Sequence, residues 1–177
     1  MIKKNLLLGI LFLAILGIFT TCNDEEEDPG PVATCTDGIK NQDEVEIDCG
    51  GICPACPSVT CKVDGADWTS DYTSITAGFF GSILQIQGGQ SLNSSSILVG
   101  YMGLQAIGDF PLEDARYTIG GVDYIMNKYV PGRIQFTDYN TSTKKITGTF
   151  YFDAKDTLTG NTISVTQGVF TNVDYDL

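Results

Sequence analysis

The feature that most restricts the fold of this chain is a period of two in its apolar residues from position 61 onward. In the segment 145–153, apolar side chains alternate with polar ones, so an extended strand there has one apolar face and one polar face. Turn signals recur about every eight to twelve residues, among them Gly88-Gly89, Gly120-Gly121 and Pro131-Gly132. The pattern predicts an all-β fold.

Ten extended segments follow from this pattern: 60–64, 72–77, 82–87, 96–102, 116–119, 122–128, 133–138, 145–153, 162–169 and 173–175. The strand at 145–153 is expected to pair antiparallel with the strand at 162–169. Alternation in the last strands predicts Ile163, Val165, Val169 and Val173 on the inner face. Antiparallel strands with one polar face pack as a sandwich or close into a barrel. We favour an antiparallel β-sandwich, with a small β-barrel as the alternative.

The N-terminal segment 1–21 has the composition of an export signal. Lys3 and Lys4 precede an apolar run over 6–19, which ends at Thr20-Thr21-Cys22. As a helix the run would measure about 21 Å, too short for a hydrocarbon core of about 30 Å. The segment 18–22 resembles a lipobox, which implies a lipid on Cys22. A simple N-terminal membrane anchor is the alternative.

The next segment, 22–34, predicts a flexible acidic tether. Five consecutive acids at 24–28 repel one another, and Pro29-Gly30-Pro31 follows them. An acidic stretch after a lipidated cysteine resembles the surface-export signal of Bacteroidota-type lipoproteins. The resemblance implies an outer-membrane protein, anchored by its lipid and exposed at the cell surface. Attachment facing the periplasm is the alternative.

Composition narrows the function classes. The chain has a net charge of −12, and loss of Lys3 and Lys4 with the signal makes it more negative. Nucleic acid and anionic lipid are therefore disfavoured partners. There is no histidine, which excludes histidine triads and histidine metal sites. No phosphate-binding glycine loop, nucleophile elbow or zinc-protease motif is present.

The segment 35–58 predicts a small cysteine-rich module. Four cysteines stand among few apolar residues, so covalent bonds must replace a core. Disulfides are the first expectation, and their connectivity stays open. A zinc site at Cys49, Cys53 and Cys56 and a redox-active pair at Cys53 and Cys56 are lesser alternatives. If Cys22 is lipidated, five cysteines remain, so at least one of them does not pair with another of the five. Cys61 is a candidate for that cysteine. The disulfide candidates are Cys35, Cys49, Cys53, Cys56 and Cys61.

Oxygen donors crowd the same module. Carboxylates and an amide oxygen within twelve residues suit Ca²⁺, and Gly38 permits a tight turn. They make a candidate calcium site, and no other cofactor is expected. The alternative is a set of solvated acids and Asx-turns on a disulfide scaffold. The candidate ligands are Asp37, Asn41, Asp43, Glu44 and Asp48.

Two resemblances extend this interpretation. The pattern from Cys35 to Cys56, C-x-D-G-I-x-N-x-x-E-x-x-x-D-C-G-G-x-C-P-x-C, resembles a short module of flavobacterial surface proteins. The segments 61–68, 146–152 and 165–170 together resemble an uncharacterised β-rich domain of Bacteroidota lipoproteins, over 59–177. These resemblances imply placement and fold. They transfer no catalytic residue.

The leading functional expectation is a non-enzymatic β domain that binds an extracellular glycan or protein. Many rings could serve it, although most are expected in the core: Trp68, Tyr72, Phe79, Phe80, Tyr101, Tyr117, Tyr124, Tyr129 and Tyr139. An accessory subunit of an outer-membrane complex is the first alternative. A hydrolase using carboxylates is the second, with candidates Asp109, Glu113, Asp114 and Asp123. The segment 156–158 resembles a bacterial O-glycosylation site, with attachment at Thr157.

Overall fold

The computed structural model describes residues 35–41, 43–103 and 107–176. The predicted signal peptide, Cys22 and the acidic tether lie outside the described residues. Within them there are eleven strands and one short 3-10 turn, Tyr72–Ser74. None of the described residues forms a helix long and apolar enough to cross a membrane. The strands are β1 Ser58–Val63, β2 Ala66–Thr69, β3 Ile75–Phe80, β4 Ile83–Gln90, β5 Ser95–Met102, β6 Gly108–Pro111, β7 Asp114–Ile119, β8 Val122–Met126, β9 Arg133–Asn140, β10 Lys145–Asp156 and β11 Thr162–Asp176.

The strands form one mixed sheet that curls into a near-barrel ring. The order is β2-β1-β11-β3-β4-β5-β7-β8-β10-β9-β6, and β10 also pairs with β11. The ring therefore runs through β3, β4, β5, β7, β8, β10 and β11. Every pair is antiparallel except β11 with β3. The all-β prediction is confirmed, and the closure corresponds to the alternative kept beside the sandwich.

The long strands β10 and β11 make closure possible. One edge of β11 is shared by β1 and β3, and one edge of β10 is shared by β9 and β8. The register between β10 and β11 slips twice, near Gln167 and near Asn172, where φ is 51° and 48°. Each slip leaves an extra residue on β11, which is a β-bulge. Bulges bend a strand and increase its twist, as a closed ring requires.

Two glycine–phenylalanine pairs bring β10 and β11 together. Gly148 is opposite Phe170, and Gly168 is opposite Phe150. A Cβ on Gly148 would lie 2.5 Å from Phe170 Cζ, and one on Gly168 would lie 2.6 Å from Phe150 Cδ2. Each ring therefore covers the bare backbone of a glycine on the other strand. These four residues belong to the motifs at 146–152 and 165–170.

Side chains from outside the ring wall contribute to its core. From β2, the Trp68 Nε1–H donates to Ser95 Oγ at 3.0 Å, and Trp68 is buried. From β9, the Phe136 ring lies 5.3 Å from Tyr101 and 5.5 Å from Phe170, centroid to centroid. The two flanking strand pairs, β1–β2 and β6–β9, thus pack onto the ring and complete its core.

Candidate functional site

The outer face of β3 and β4 presents polar side chains in a regular array. Leu84 and Ile86 are buried in the core, so Gln85 and Gln87 point away from it because side chains alternate along a strand. The register places Gly78 opposite Gln85, and Thr76 opposite Gln87. Two successive outward positions of β4 therefore carry an amide, Gln85 beside Gly78 and Gln87 beside Thr76 of β3.

Two shallow depressions follow this array, and together they are called the β4 groove. The first has a volume of about 310 Å³ and lies between Phe80, Gln85 and Asp176. The second has a volume of about 500 Å³. Thr76 and Gln87 line both, so the depressions are continuous. The second is lined by Ser74, Thr76, Gln87, Gly89, Gln90, Ser91, Ser94, Ser95 and Ser96.

Hydrogen-bonding groups without charge dominate the β4 groove. Among the described residues that line it, Asp176 is the only charged one. No described residue forms a hydrogen bond with the side-chain amide of Gln85 or Gln87. Gln90 differs, because its Nε2 donates to the Thr69 carbonyl at 2.6 Å and its Oε1 accepts from Ser95 Oγ at 3.1 Å. The groove thus keeps two amides available to a ligand, while Gln90 holds the adjacent turn.

Of the predicted rings, only Phe79 and Phe80 line the β4 groove, and Phe80 is 78% exposed. Trp68, Tyr101 and Tyr117 are buried, while Phe79, Tyr124 and Tyr139 pack partly buried against the core. Tyr72 and Tyr129 are exposed elsewhere. Sequence reasoning did not select Gln85, Gln87 or Asp176. The polar alternation in 82–87 was the available signal for the two glutamines, whereas only the register brings Asp176 beside Gly78.

The oxygen donors of the cysteine-rich module accept hydrogen bonds from the module itself. Asp48 accepts from the Gly38 N–H at 3.0 Å, and Asp37 accepts from the Ile39 N–H at 2.9 Å. Glu44 is buried and accepts from the Asn41 N–H at 3.2 Å, while Asn41 Oδ1 is buried and forms no hydrogen bond to a described residue. Asp43 contributes its carbonyl to the packing around Gly51.

These contacts do not test the calcium prediction. Among the described residues, no three acidic or cysteine side chains converge as metal ligands. The candidate calcium site therefore stays a prediction.

Two disulfides hold this module, Cys35–Cys53 and Cys49–Cys56. Cys53 and Cys56 belong to different disulfides, so the redox-pair interpretation is wrong. The same bonds remove the thiolates that a zinc site would need. Cys61 is buried and unpaired, and burial raises the pKa of its thiol to about 12. The module contacts the ring where Asn172 Nδ2 donates to the Ala55 carbonyl at 2.9 Å.

The hydrolase candidates are engaged in different ways. Asp109 forms an ion pair with Arg133 at 2.9 Å, and Asp123 accepts from Thr118 Oγ1 at 2.7 Å and faces Arg116. The hydrogen bond from Arg133 lowers the pKa of Asp109, whereas a general acid needs a raised one. Glu113 and Asp114 lie at the start of β7. This geometry supplies no argument for hydrolysis.

The predicted glycosylation site lies in the turn between β10 and β11. Thr157 is exposed there. The preceding Asp156 is buried, and its carboxylate accepts hydrogen bonds from the Leu158 N–H and the Thr159 hydroxyl. The hydroxyl of Thr157 is thus presented on a turn that Asp156 shapes. Attachment at this residue stays a prediction.

Fold and site together define a class: an all-β domain, preceded by a disulfide-bonded module, with a groove on its sheet that is lined mainly by uncharged polar residues. The chain belongs to the family described as Domain of unknown function (DUF6252), which it matches over residues 55–174. No curated protein and no solved structure matched the chain.

Proposed function

We propose that this chain is a non-enzymatic lipoprotein of the outer membrane, displayed at the cell surface, and that its β4 groove binds an extracellular glycan. One observation carries the binding proposal: the groove combines an exposed ring, Phe80, with the unpaired amides of Gln85 and Gln87. Asp176 is the one charged residue among the described residues that line this combination.

The chemistry of a sugar matches these groups. A hydroxyl both donates and accepts, and so does an amide side chain. The C–H face of a pyranose ring is apolar and can lie flat on an aromatic ring such as Phe80. The one charged residue among the described lining residues, Asp176, is exposed, so an uncharged ligand rich in hydroxyls can bond to its carboxylate.

The cellular address rests on the N-terminal sequence. Lys3 and Lys4, the apolar run 6–19 and Cys22 support lipidation, and the acids at 24–28 support surface export. Labelled palmitate is expected to enter the protein in its native host, and Cys22→Ser is expected to abolish incorporation. Protease added to intact cells then separates surface display from attachment facing the periplasm. Incorporation that survives Cys22→Ser would contradict the proposal.

Glycan binding can be tested with the full chain in a detergent that contains no sugar. Binding to a glycan array is expected, and Phe80→Ala or Gln87→Ala should weaken it about tenfold, since a lost contact of about 1.4 kcal/mol corresponds to that factor. Tyr129→Ala is the matched control, because Tyr129 is exposed outside the groove. Equal losses in all three variants, or no glycan bound at all, would count against the groove.

A second candidate function is that of an accessory subunit in an outer-membrane complex. The register aligns Phe80 with Ile83 and Ile83 with Met102, so three apolar side chains form a row at one end of the groove. Phe80 and Met102 are both exposed. A protein partner on this row would be lost with Met102→Ser and retained with Gln87→Ala. Glycan binding predicts the opposite order.

Calcium binding by the module is a separate proposal. Asn41 supports it, because its Oδ1 is buried without a hydrogen bond to a described residue while its Nδ2 donates to Asp37 Oδ2 at 3.1 Å. Titration of the oxidised chain with millimolar Ca²⁺ is expected to give a heat of binding that Asp37→Asn reduces. If the titration heat and the melting temperature are both unchanged by Ca²⁺, the site does not exist.

A further inference from the structure

We infer that the β4 groove takes a linear, uncharged oligosaccharide that lies along β4, with one end ring on Phe80. The inference rests on the proposed glycan binding and specifies the shape and length of the ligand. It begins from the continuity of the two depressions, which meet at Thr76 and Gln87. A ligand seated in the first depression can therefore extend into the second without leaving the surface.

The length of the groove follows from strand geometry. β4 has eight residues, so the seven steps of about 3.4 Å between them place its end Cα atoms about 24 Å apart. The first depression lies at the Phe80 end, and the second reaches Ser91 and Ser94 in the turn after β4. A disaccharide is too short to occupy both, whereas a chain of four linked rings can reach from one to the other.

The spacing of side chains favours an extended chain over a branched one. Gln85 and Gln87 are two residues apart on one face, which separates their Cα atoms by about 7 Å. Glycines flank them, Gly78 opposite Gln85 on β3 and Gly89 two residues beyond Gln87. Ser74 packs against Gly89, whereas Gly78 is open, so a sugar ring can approach the backbone at Gly78 and bond through its hydroxyls to the amide of Gln85 beside it.

The end at Phe80 orients the chain. Asp176 is the register partner of Gly78 and lines the same depression as Phe80. A carboxylate can accept two hydroxyl hydrogen bonds beside a ring that is stacked on Phe80, and charge-assisted hydrogen bonds are the stronger kind. The described residues that line the serine-rich depression at the other end include neither an aromatic ring nor a carboxylate. We therefore place the tightest contacts of the ligand at Phe80.

Length dependence is the test. Cello-, xylo-, manno- and chito-oligosaccharides of two to six residues are titrated into the full chain in sugar-free detergent. For the series that binds, the Kd is expected to fall at least tenfold from the disaccharide to the tetrasaccharide and then to level off. The plateau marks the point at which the groove is filled.

Two variants locate the subsites. Gly78→Val fills the first depression, and the position tolerates a side chain because the nearest atom to its Cβ would be the Asp176 carbonyl at 4.0 Å. It should weaken every length. Ser96→Leu fills the second depression. The affinity for the disaccharide should stay unchanged, and the affinity for the tetrasaccharide should fall to the same value. Thr118→Leu is the matched control, because Thr118 is the register partner of Ser96 on β7 and does not line the groove.

The outcomes separate the two proposals. If no series binds, the proposed glycan function fails. If a disaccharide binds as tightly as a hexasaccharide, or Ser96→Leu acts on all lengths alike, the glycan function stands and the linear four-ring ligand is wrong. Unchanged melting temperatures of the variants show that each loss reflects the groove rather than the fold.

Discussion

At the scale of single residues, Gly148 on β10 and Gly168 on β11 are positions where a methyl group has no room. Gly148 lies under Phe170 and against the Gln135 carbonyl of β9, and Gly168 lies under Phe150. Overpacking of a closed core typically costs about 1–3 kcal/mol.

We expect Gly148→Ala and Gly168→Ala each to lower the free energy of unfolding by about 2 kcal/mol. Urea unfolding followed by the fluorescence of the buried Trp68 measures this change. Gly78→Ala is the control, because that position is open and has an ordinary φ. Equal stability of all three variants would contradict the close packing at Gly148 and Gly168.

Cys61 gives the fold a dependence on alkaline pH. Burial raises the pKa of its thiol from 9.0 to about 12. The folded pKa is higher than the unfolded one, so the contribution to stability is complete below about pH 9 and is lost as pH rises toward 12. The urea midpoint of the native chain should therefore fall between pH 8 and pH 11. Cys61→Ala should flatten this fall, and an identical slope in both chains would show that other groups cause it.

The alternation of apolar and polar residues predicted only part of the inner face of β11 correctly. Val165 and Val173 are buried as expected, but Val169 is 37% exposed and its predicted inward position is wrong. The bulge near Gln167 shifts the alternation by one residue, so Gly168 and Phe170 face inward instead. Glutamine has no local preference for a positive φ, so nothing in the sequence marks this bulge.

At the scale of elements, the turn between β10 and β11 depends on Asp156. Hydrogen bonds from Thr159 and Leu158 lower the pKa of this carboxyl. Its contribution to stability is present above the unfolded pKa of about 4 and is lost as pH falls through the folded value. The turn therefore weakens in acid.

We expect Asp156→Ala to lower the melting temperature at pH 7, with a difference from the native chain that shrinks below pH 4. Calorimetry at several pH values measures both. Asp138→Ala is the matched control, because Asp138 is exposed on β9 and makes no side-chain hydrogen bond to a described residue. A difference that stays constant down to pH 2 would mean that the charge of Asp156 does not matter.

Some strands and pairings could be predicted from the sequence, and others could not. The turn at 120–121 and the hairpin of β10 with β11 were predicted because glycine and alternation mark them. The short strands β2 and β6 were not predicted as strands, since four residues carry too little periodicity. The β4 groove escaped for a related reason: its members come from β3, β4, β5 and β11, and only the register joins them.

At the scale of the whole molecule, two kinds of stabilisation operate side by side. The module at 35–57 depends on its two disulfides. Neither disulfide includes a residue of the ring, which is held by its strand pairing and its core. The two bonds close loops of 18 and 7 residues, and a chain-entropy model assigns them about 3 and 2 kcal/mol.

Reduction is therefore expected to unfold the module and leave the ring folded. Limited proteolysis in reductant should cut within 35–57, while the segment from β1 to β11 stays resistant. Asn172→Ala removes the bond to the Ala55 carbonyl and should speed this cleavage even without reductant. Simultaneous digestion of module and ring would show that the disulfides also support the sheet.

The shared edge of β11 has a consequence for how the molecule is made. β11 follows β1, β3 and β10 along the chain and pairs with all three, so β1 cannot join the sheet and the ring cannot close until β11 is made. Contacts of such sequence separation slow folding. Until β11 has been synthesised, the row of strands from β3 to β10 stays open, and its two ends meet only on β11.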